Sequence, residues 1–543
     1  MREAVELSLC RADGDDCGFV HDVIRDHFVA TVPRTSGPEL HARIARTLRR
    51  RDTPAATLAY HLDRAGDRAA AAAKYFDGGI DADRVHDLVG SSHNLRRALA
   101  LYLEIPPSAL RDRDLARTTY ELARITCLLG KTHEPLDHLD RARQAMIAPP
   151  DDAVAMLDSA YARVYYAQGD FGRAMDHSER SLAVTDPALG PYQCVAANML
   201  GRALCASGYF GPSIEVLRRG CQLAREANDL VELAHSEGLL GTALAFTGEF
   251  AASLRHIEES QRLAERLDNP VRRMGLCLYQ TMHAEAAFRW DDGLRSSAQL
   301  LAHADEYAMA GLYLYLGTLM AGRHHFHIGE LRRARHLVAN AINLSTIFGI
   351  RIGASWAHAY LGDVHFIEGR YDEAERWYAT AHEHARTGRG DGYGLPLALI
   401  GTAHASAYLG GALARVSELA DEALRAFEAA ANLPGLAVAQ VRYLDALAVC
   451  GADAAQLAAV RARLGEALAR IGRASCEFWP GLPATATAAD RALPIADYWR
   501  QRAVGEIALA AEVEETSAQT GKLLVNLSTI NGFIPAFAAR QVP

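Results

Sequence analysis

Arg323-His324-His325-Phe326-His327 is the densest histidine cluster of the 543-residue chain, and His365 repeats the phase of His325, each lying four residues before a turn glycine. Imidazoles at one phase of neighbouring helices are a start towards a shared ligand or zinc site. Neither acids nor cysteines fall at a spacing that completes one, so these side chains read as groove or surface histidines. His382 and His384 alternate and would point to different sides of a helix. His133-Glu134 lacks the second histidine of a zinc-protease helix and is followed by Pro135. Gly130-Lys131-Thr132 ends like a phosphate-binding loop, but Ile125 stands where that loop needs its first glycine. No serine sits in a nucleophile elbow, and no cysteine has a recognisable nucleophile context. The nine cysteines form no CxxC pair, which suits reduced thiols. No catalytic, cofactor-binding or metal-ligating residue is therefore assigned, and the chain is expected not to be an enzyme.

The elements that carry these residues announce themselves by repetition. Turn signals occur at Gly130, Gly169, Gly208, Gly248, Phe288, Gly329, Gly369 and Gly410, with successive spacings of 39, 39, 40, 40, 41, 40 and 41 residues. A steady period near forty marks stacked structural repeats. Each signal separates two stretches of helical composition, which predicts helix A, tight turn, helix B. Seven residues before the turn stands a small residue in almost every unit, such as Ala162, Gly201, Gly241, Gly322 and Gly362. Five after it come Ala174, Ser213, Ser253, Gly293, Ala334 and Ala374, and twelve after it Ala142, Ser181, Gly220, Ser260, Ala341 and Ala381. Small residues at these phases let helices approach closely. An apolar anchor follows the turn by two: Phe171, Phe210, Phe250, Trp290, Leu331 and Tyr371.

This phasing resembles the tetratricopeptide (TPR) family, in the longer unit found in the helical domains of MalT-like regulators, over residues 115–473. Ahead of it, Phe19, His21, Ile24 and Arg25, then Leu40, His41, Ile44 and Ala45, resemble the end of the winged-helix module that follows the nucleotide-binding domain in STAND-type ATPases, including LuxR-type regulators and proteins fused to class III cyclases. The run from Leu58 through Tyr60, His61 and Gly66 resembles the first helical hairpin of those proteins. The resemblance implies a signalling lineage. No GxxxxGK[ST] loop occurs, so it implies no ATP site here.

Composition narrows the rest. A formal charge of −9 and pI near 6.2 provide no broad basic field, so nucleic-acid binding is not expected. Arg46, Arg49, Arg50 and Arg51 read as a solvated helix end rather than a DNA reader. No segment has the apolar core of a secretory signal or the length of a membrane span, which predicts a cytoplasmic protein. The expected architecture is all-α: a right-handed α-α superhelix, a TPR-like solenoid, with a short winged-helix-like N-terminal remnant. Its expected divisions are 1–52 for the remnant, 53–114 for the first hairpins, 115–473 for the array, and 474–543 for a linker, a capping helix over 492–515 and a tail. The expected function is a non-catalytic sensing and interaction module of a bacterial signal-transduction or transcription-regulatory system. It would take a protein partner, peptide or small effector in a concave groove that includes Tyr165, Asn198, Arg202, Tyr279, His325 and His365. The alternative is the C-terminal portion of a STAND-type ATPase or cyclase-linked regulator whose nucleotide-binding domain lies outside this chain.

Overall fold

The computed structural model describes residues 10–13, 16–20, 37–51, 53–267, 269–306, 311–387 and 392–471. The winged-helix positions His21, Ile24 and Arg25, and the linker and 492–515 helix expected in the tail, lie outside the described residues. The chain divides into two compact units, 1–125 with 144–149, and 126–143 with 150–543.

The first unit opens with an antiparallel hairpin of β1 (Cys10–Asp13) and β2 (Asp16–Phe19). Helices α1 (Gly37–Leu48), α2 (Ala55–Arg64), α3 (Arg68–Arg84), α4 (Leu88–Glu104) and most of α5 (Ala109–Leu128) follow. Asp67 and Asp87 cap α3 and α4 by accepting the backbone N–H of Ala70 and Gly90, which satisfies donors that no helical carbonyl reaches. Arg97 grips Asp63 with two parallel hydrogen bonds of 2.8 Å, tying α4 to α2.

The second unit is an array of A and B helices. After α6 (Glu134–Ala145), the A helices are α7 (Asp151–Ala167), α9 (Gly190–Ala206), α11 (Leu230–Phe246), α13 (Pro270–Ala286), α15 (Leu312–His327), α17 (Ala354–Ile367), α19 (Gly394–Tyr408) and α21 (Leu433–Val449). The B helices are α8 (Phe171–Ala183), α10 (Phe210–Glu226), α12 (Phe250–Leu267), α14 (Trp290–Glu306), α16 (Leu331–Phe348), α18 (Tyr371–Thr387), α20 (Leu413–Ala429) and α22 (Ala454–Arg470). Six of the B helices begin on the anchor residue that follows each turn. At Gly169 the backbone enters the left-handed region with φ +76°, and Asp170 then caps α8 through the Arg173 N–H at 3.1 Å. In the fifth unit Phe288 takes this conformation at φ +58°, a placement that costs a non-glycine residue about 1 kcal/mol. A further turn at Gly451, without an aromatic anchor behind it, precedes α22, one unit beyond the turn at Gly410.

Burial separates the two helix types. Every residue of α17, and every residue of α15 from Leu314 onward, is buried. On α12 only Ser253, Ile257, Ser260, Leu263 and Ala264 are, one stripe of an otherwise solvated helix. A helices are thus enclosed by neighbours and B helices form the outer layer. The small residue seven before each turn meets a bulky residue nine after it. A Cβ on Gly201 would lie 2.5 Å from Leu217, on Gly241 2.7 Å from Ile257, on Gly322 2.8 Å from Val338 and on Gly362 2.6 Å from the Tyr378 ring.

The array also winds until it touches itself. A Cβ on Gly311 would lie 2.9 Å from Gly130, one on Gly169 2.9 Å from Arg351, and one on Gly392 2.4 Å from the Ser207 carbonyl. Gly311 follows Gly130 by 181 residues and Arg351 follows Gly169 by 182, so one superhelical turn takes about four and a half units of forty. An apolar cluster of Phe210, Phe246, Ala286 and Ala430, with Tyr393 packed on it, seals successive turns together.

Two glycines in this unit should respond oppositely to alanine. Gly362→Ala drives a methyl into Tyr378 and should destabilise by about 1–3 kcal/mol. Gly465→Ala, at an exposed point of α22 with nothing within 4 Å, should stabilise by about 0.5–1 kcal/mol. Thermal or urea melts of the two variants against the parent decide this, and a neutral Gly362→Ala would refute the packing code.

Candidate functional site

The inner face of the array is a helical stripe. Residues thirteen, nine, six and two before each turn recur every three to four residues and so share one side of an A helix. Leu316 and Trp356 hold the first position, Leu239 and Tyr279 the second, Arg202, Thr242 and Met282 the third, and Ala206 and Phe246 the fourth. Together with Tyr166, Cys205, Phe210, Leu217, Leu278, Ile352 and Tyr393 they line a cavity of about 100 Å³. One wall comes from α7 to α13 and the other from the starts of α15, α17 and α19, so the cavity exists because the superhelix closes.

Arg202 is the charged residue of this lining. Its guanidinium lies over the Tyr166 ring, 4.4 Å from the centroid, and among the described residues no carboxylate lies within ion-pair distance of it. Beside the cavity the Tyr279 hydroxyl hydrogen-bonds His235 Nδ1 at 2.5 Å, and its ring packs against Gly238, where a Cβ would sit 2.0 Å away. Burial, reinforced by Arg272, Arg202 and Arg163, holds the His235 imidazole well below its ordinary pKa and therefore neutral. Glu232 is the nearby carboxylate, and it is engaged by Asn198 at 3.1 Å and Arg272 at 3.4 Å.

Further along the array the stripe is filled by charges that satisfy one another. Arg323 bonds Asp363 at 2.7 Å and Glu285 at 3.3 Å. Asp363 also accepts from Tyr378 at 2.8 Å and pairs with Arg442 at 3.0 Å. Arg442 donates to Tyr378 Oη at 3.0 Å and to His404 Nδ1 at 3.4 Å, and His404 donates to Asp445 at 2.8 Å. This relay joins α13, α15, α17, α18, α19 and α21 through their buried faces.

Of the residues expected to form a groove, Arg202 and Tyr279 meet at the cavity. Asn198 is fully buried beside it, accepting from Ser236 at 2.9 Å. Tyr165 faces its own B helix, stacked on Tyr161 and His177 with Arg173 over its ring. His325 points to Glu330, 2.7 Å from Nδ1, and His365 to Glu373 at 2.9 Å, on the rim of an outer cleft with Arg332, Arg335, His336 and Trp377. His324 lies on Gly293, and His327 stacks on Trp290 with centroids 3.8 Å apart. Among the described residues no three His, Cys, Asp or Glu side chains converge to hold a metal ion. The thiols of Cys127, Cys205 and Cys221 are pushed up to about 12 by burial, which keeps them protonated and poor nucleophiles. The lumen holds an apolar pocket with a positive edge. Among the described residues no helix is long and apolar enough to cross a membrane.

No family model matches the chain, and no curated protein matches it. Solved structures do. A Rap protein complexed with competence and sporulation factor is similar at TM-score 0.51 and 13% identity, over 65% of this chain and 99% of that one. A Rap conjugation gene regulator in complex with a Phr peptide matches at TM-score 0.44 and 14% identity, over 66% and 96%. A STAND protein with a tetratricopeptide repeat sensor from Pyrococcus horikoshii matches at 0.40 and 14%, over 79% of this chain and 58% of that one. The array and the first of these likenesses define an all-α, TPR-like helical repeat solenoid.

Two substitutions probe the filled part of the lumen. Arg323→Met strands the buried Glu285 carboxylate and leaves Asp363 to Arg442 and Tyr378 alone, and should cost about 3–5 kcal/mol in a urea melt; a loss under about 1 kcal/mol would refute the relay's structural weight. Burial, with Arg323 for His324 and Arg333 for His325, lowers both imidazoles from 6.5 to about 3. Between those values the unfolded chain binds protons that the folded chain does not, so stability falls as pH drops from about 6.5. His324→Gln should make the fall in thermal midpoint between pH 6.5 and 4 shallower, and an unchanged slope would contradict a neutral His324.

Proposed function

We propose that the chain is a non-catalytic sensing and interaction module of a bacterial signal-transduction or transcription-regulatory system, acting in the cytoplasm. The luminal face takes an effector or a peptide segment, and the array passes its occupancy to a protein partner. The observation that carries this is Arg202, a guanidinium without a carboxylate partner among the described residues, at the edge of an apolar cavity between successive superhelical turns. From α13 to α21 the buried charges pair with one another, so the cavity is where an outside ligand has most to offer. A Rap protein of similar fold is complexed with competence and sporulation factor, which fits an effector-holding array. In this reading residues 1–52 are the winged-helix-like remnant, 53–114 the first hairpins, 115–473 a MalT-like array of STAND lineage, and 474–543 a linker and tail.

Affinity capture of the full chain from its native cell extract tests the reading. Arg202→Gln and Thr242→Trp, the second of which fills the cavity, should both lose or markedly weaken the same partner, while Arg376→Gln on the exposed side of α18 retains it. Retention of that partner by both luminal variants, with their helicity intact by circular dichroism, would overturn it.

A further inference from the structure

The cavity is selective as well as hollow. At about 100 Å³ it is smaller than the roughly 150 Å³ apolar cavity that accepts benzene, so it suits one compact body rather than an extended chain. Its walls are aromatic and aliphatic: Phe246, Trp356, Leu278, Met282, Leu316 and Ile352. Such walls offer a sugar almost nothing to bond, since the Tyr279 hydroxyl is already committed to His235. They would also strip water from a phosphate without replacing its hydrogen bonds. A cation is disfavoured by Arg202 and by the guanidinium groups of Arg163 and Arg272, which lie near enough to depress His235. The nearby carboxylate that could offset them, Glu232, is engaged by Asn198 and Arg272.

The Arg202 guanidinium, held against Tyr166 and without a carboxylate partner among the described residues, is the group of this lining that can donate paired hydrogen bonds to a carboxylate. We propose that the cavity binds a small organic monocarboxylate, with its carboxylate on Arg202 and a compact branched aliphatic body, smaller than a benzene ring, against Phe246, Trp356, Leu278 and Met282. This rests on reading the lumen as the effector site and names the chemical class that site takes. Because the body touches both walls, the ligand fits the closed winding of the array and is lost when the turns part.

Titration calorimetry of the full chain with 2-methylpropanoate and 3-methylbutanoate, beside the neutral 2-methylpropanamide and 3-methylbutanamide, tests this. At least one acid should bind at one site per chain, about tenfold or more tighter than its amide, as expected for a charge-assisted pair. Arg202→Gln should erase that preference, and Met282→Trp should abolish binding of acid and amide alike with the thermal midpoint close to the parent's. Equal affinity for acid and amide, acid binding unchanged in Arg202→Gln, or no binding of either acid would overturn the proposal. If neither acid binds while the luminal variants still lose their partner in the capture experiment, the sensing role stands and this ligand class falls. If an acid binds as described and partner capture is unaffected, the reverse holds.

Discussion

The contact on which the rest of the second unit depends is the meeting of the array with itself, a superhelical turn later. Gly130 against Gly311, Gly169 against Arg351, and Ser207 against Gly392 bring backbone to within a distance that no side chain would permit. That approach is possible because the small residues seven before each turn let A and B helices nest closely. The per-unit rotation is then large enough to close a turn in about four and a half units. A looser helix pair would give a wider superhelix with an open concave groove. Here α17, and α15 from Leu314 onward, are buried on every side, and apart from the cavity much of the space that would have been a groove is packed.

Packing a lumen with long A helices forces a decision about every polar side chain on the inner stripe. A charge placed there is removed from water, which is tolerable when partners complete its hydrogen bonds. From α13 to α21 the decision is made collectively, through Glu285, Arg323, Asp363, Arg442, His404 and Asp445. From α7 to α13 it is made differently: Arg163, Arg202 and Arg272 bring positive charge, and Glu232 is the carboxylate set among them. Arg202, without a carboxylate partner among the described residues, and the unfilled volume coincide, and neither alone would mark a site.

Much of this was legible in the residues and part was not. The period, the turn glycines, the anchors and the small residues reveal themselves because each answers a local requirement that recurs in every unit. The inner stripe recurs too, but its occupants change from Arg202 to Thr242, Met282, Arg323 and Asp363, so chemistry hides the phase. Tyr165, His325 and His365 share a position four before the turn, whereas Arg202 lies six before it. Two residues along an α-helix is a rotation of about 200°, so these positions face nearly opposite ways: one towards the unit's own B helix, the other into the lumen. Arg202 and Tyr279 stand on the stripe. The opposite wall could not be read from one unit at all, since Ile352, Trp356 and Tyr393 arrive from a superhelical turn away.

That long-range wall has an energetic consequence. A ligand seated between α9 and α17 contacts two parts of the chain joined by more than a hundred residues but not by any local hairpin. Whatever binds there stabilises the closed winding over any opened one by mass action, in proportion to its preference for the closed state. The seam glycines set how the turns meet, the buried relay ties α13 to α21, and the contact around Phe210, Phe246 and Tyr393 is where the two walls of the pocket adjoin. A ligand spanning both walls of a pocket only about 100 Å³ in size would therefore couple its occupancy to how closely the turns approach, which is the kind of global change by which one site can be linked to a distant surface.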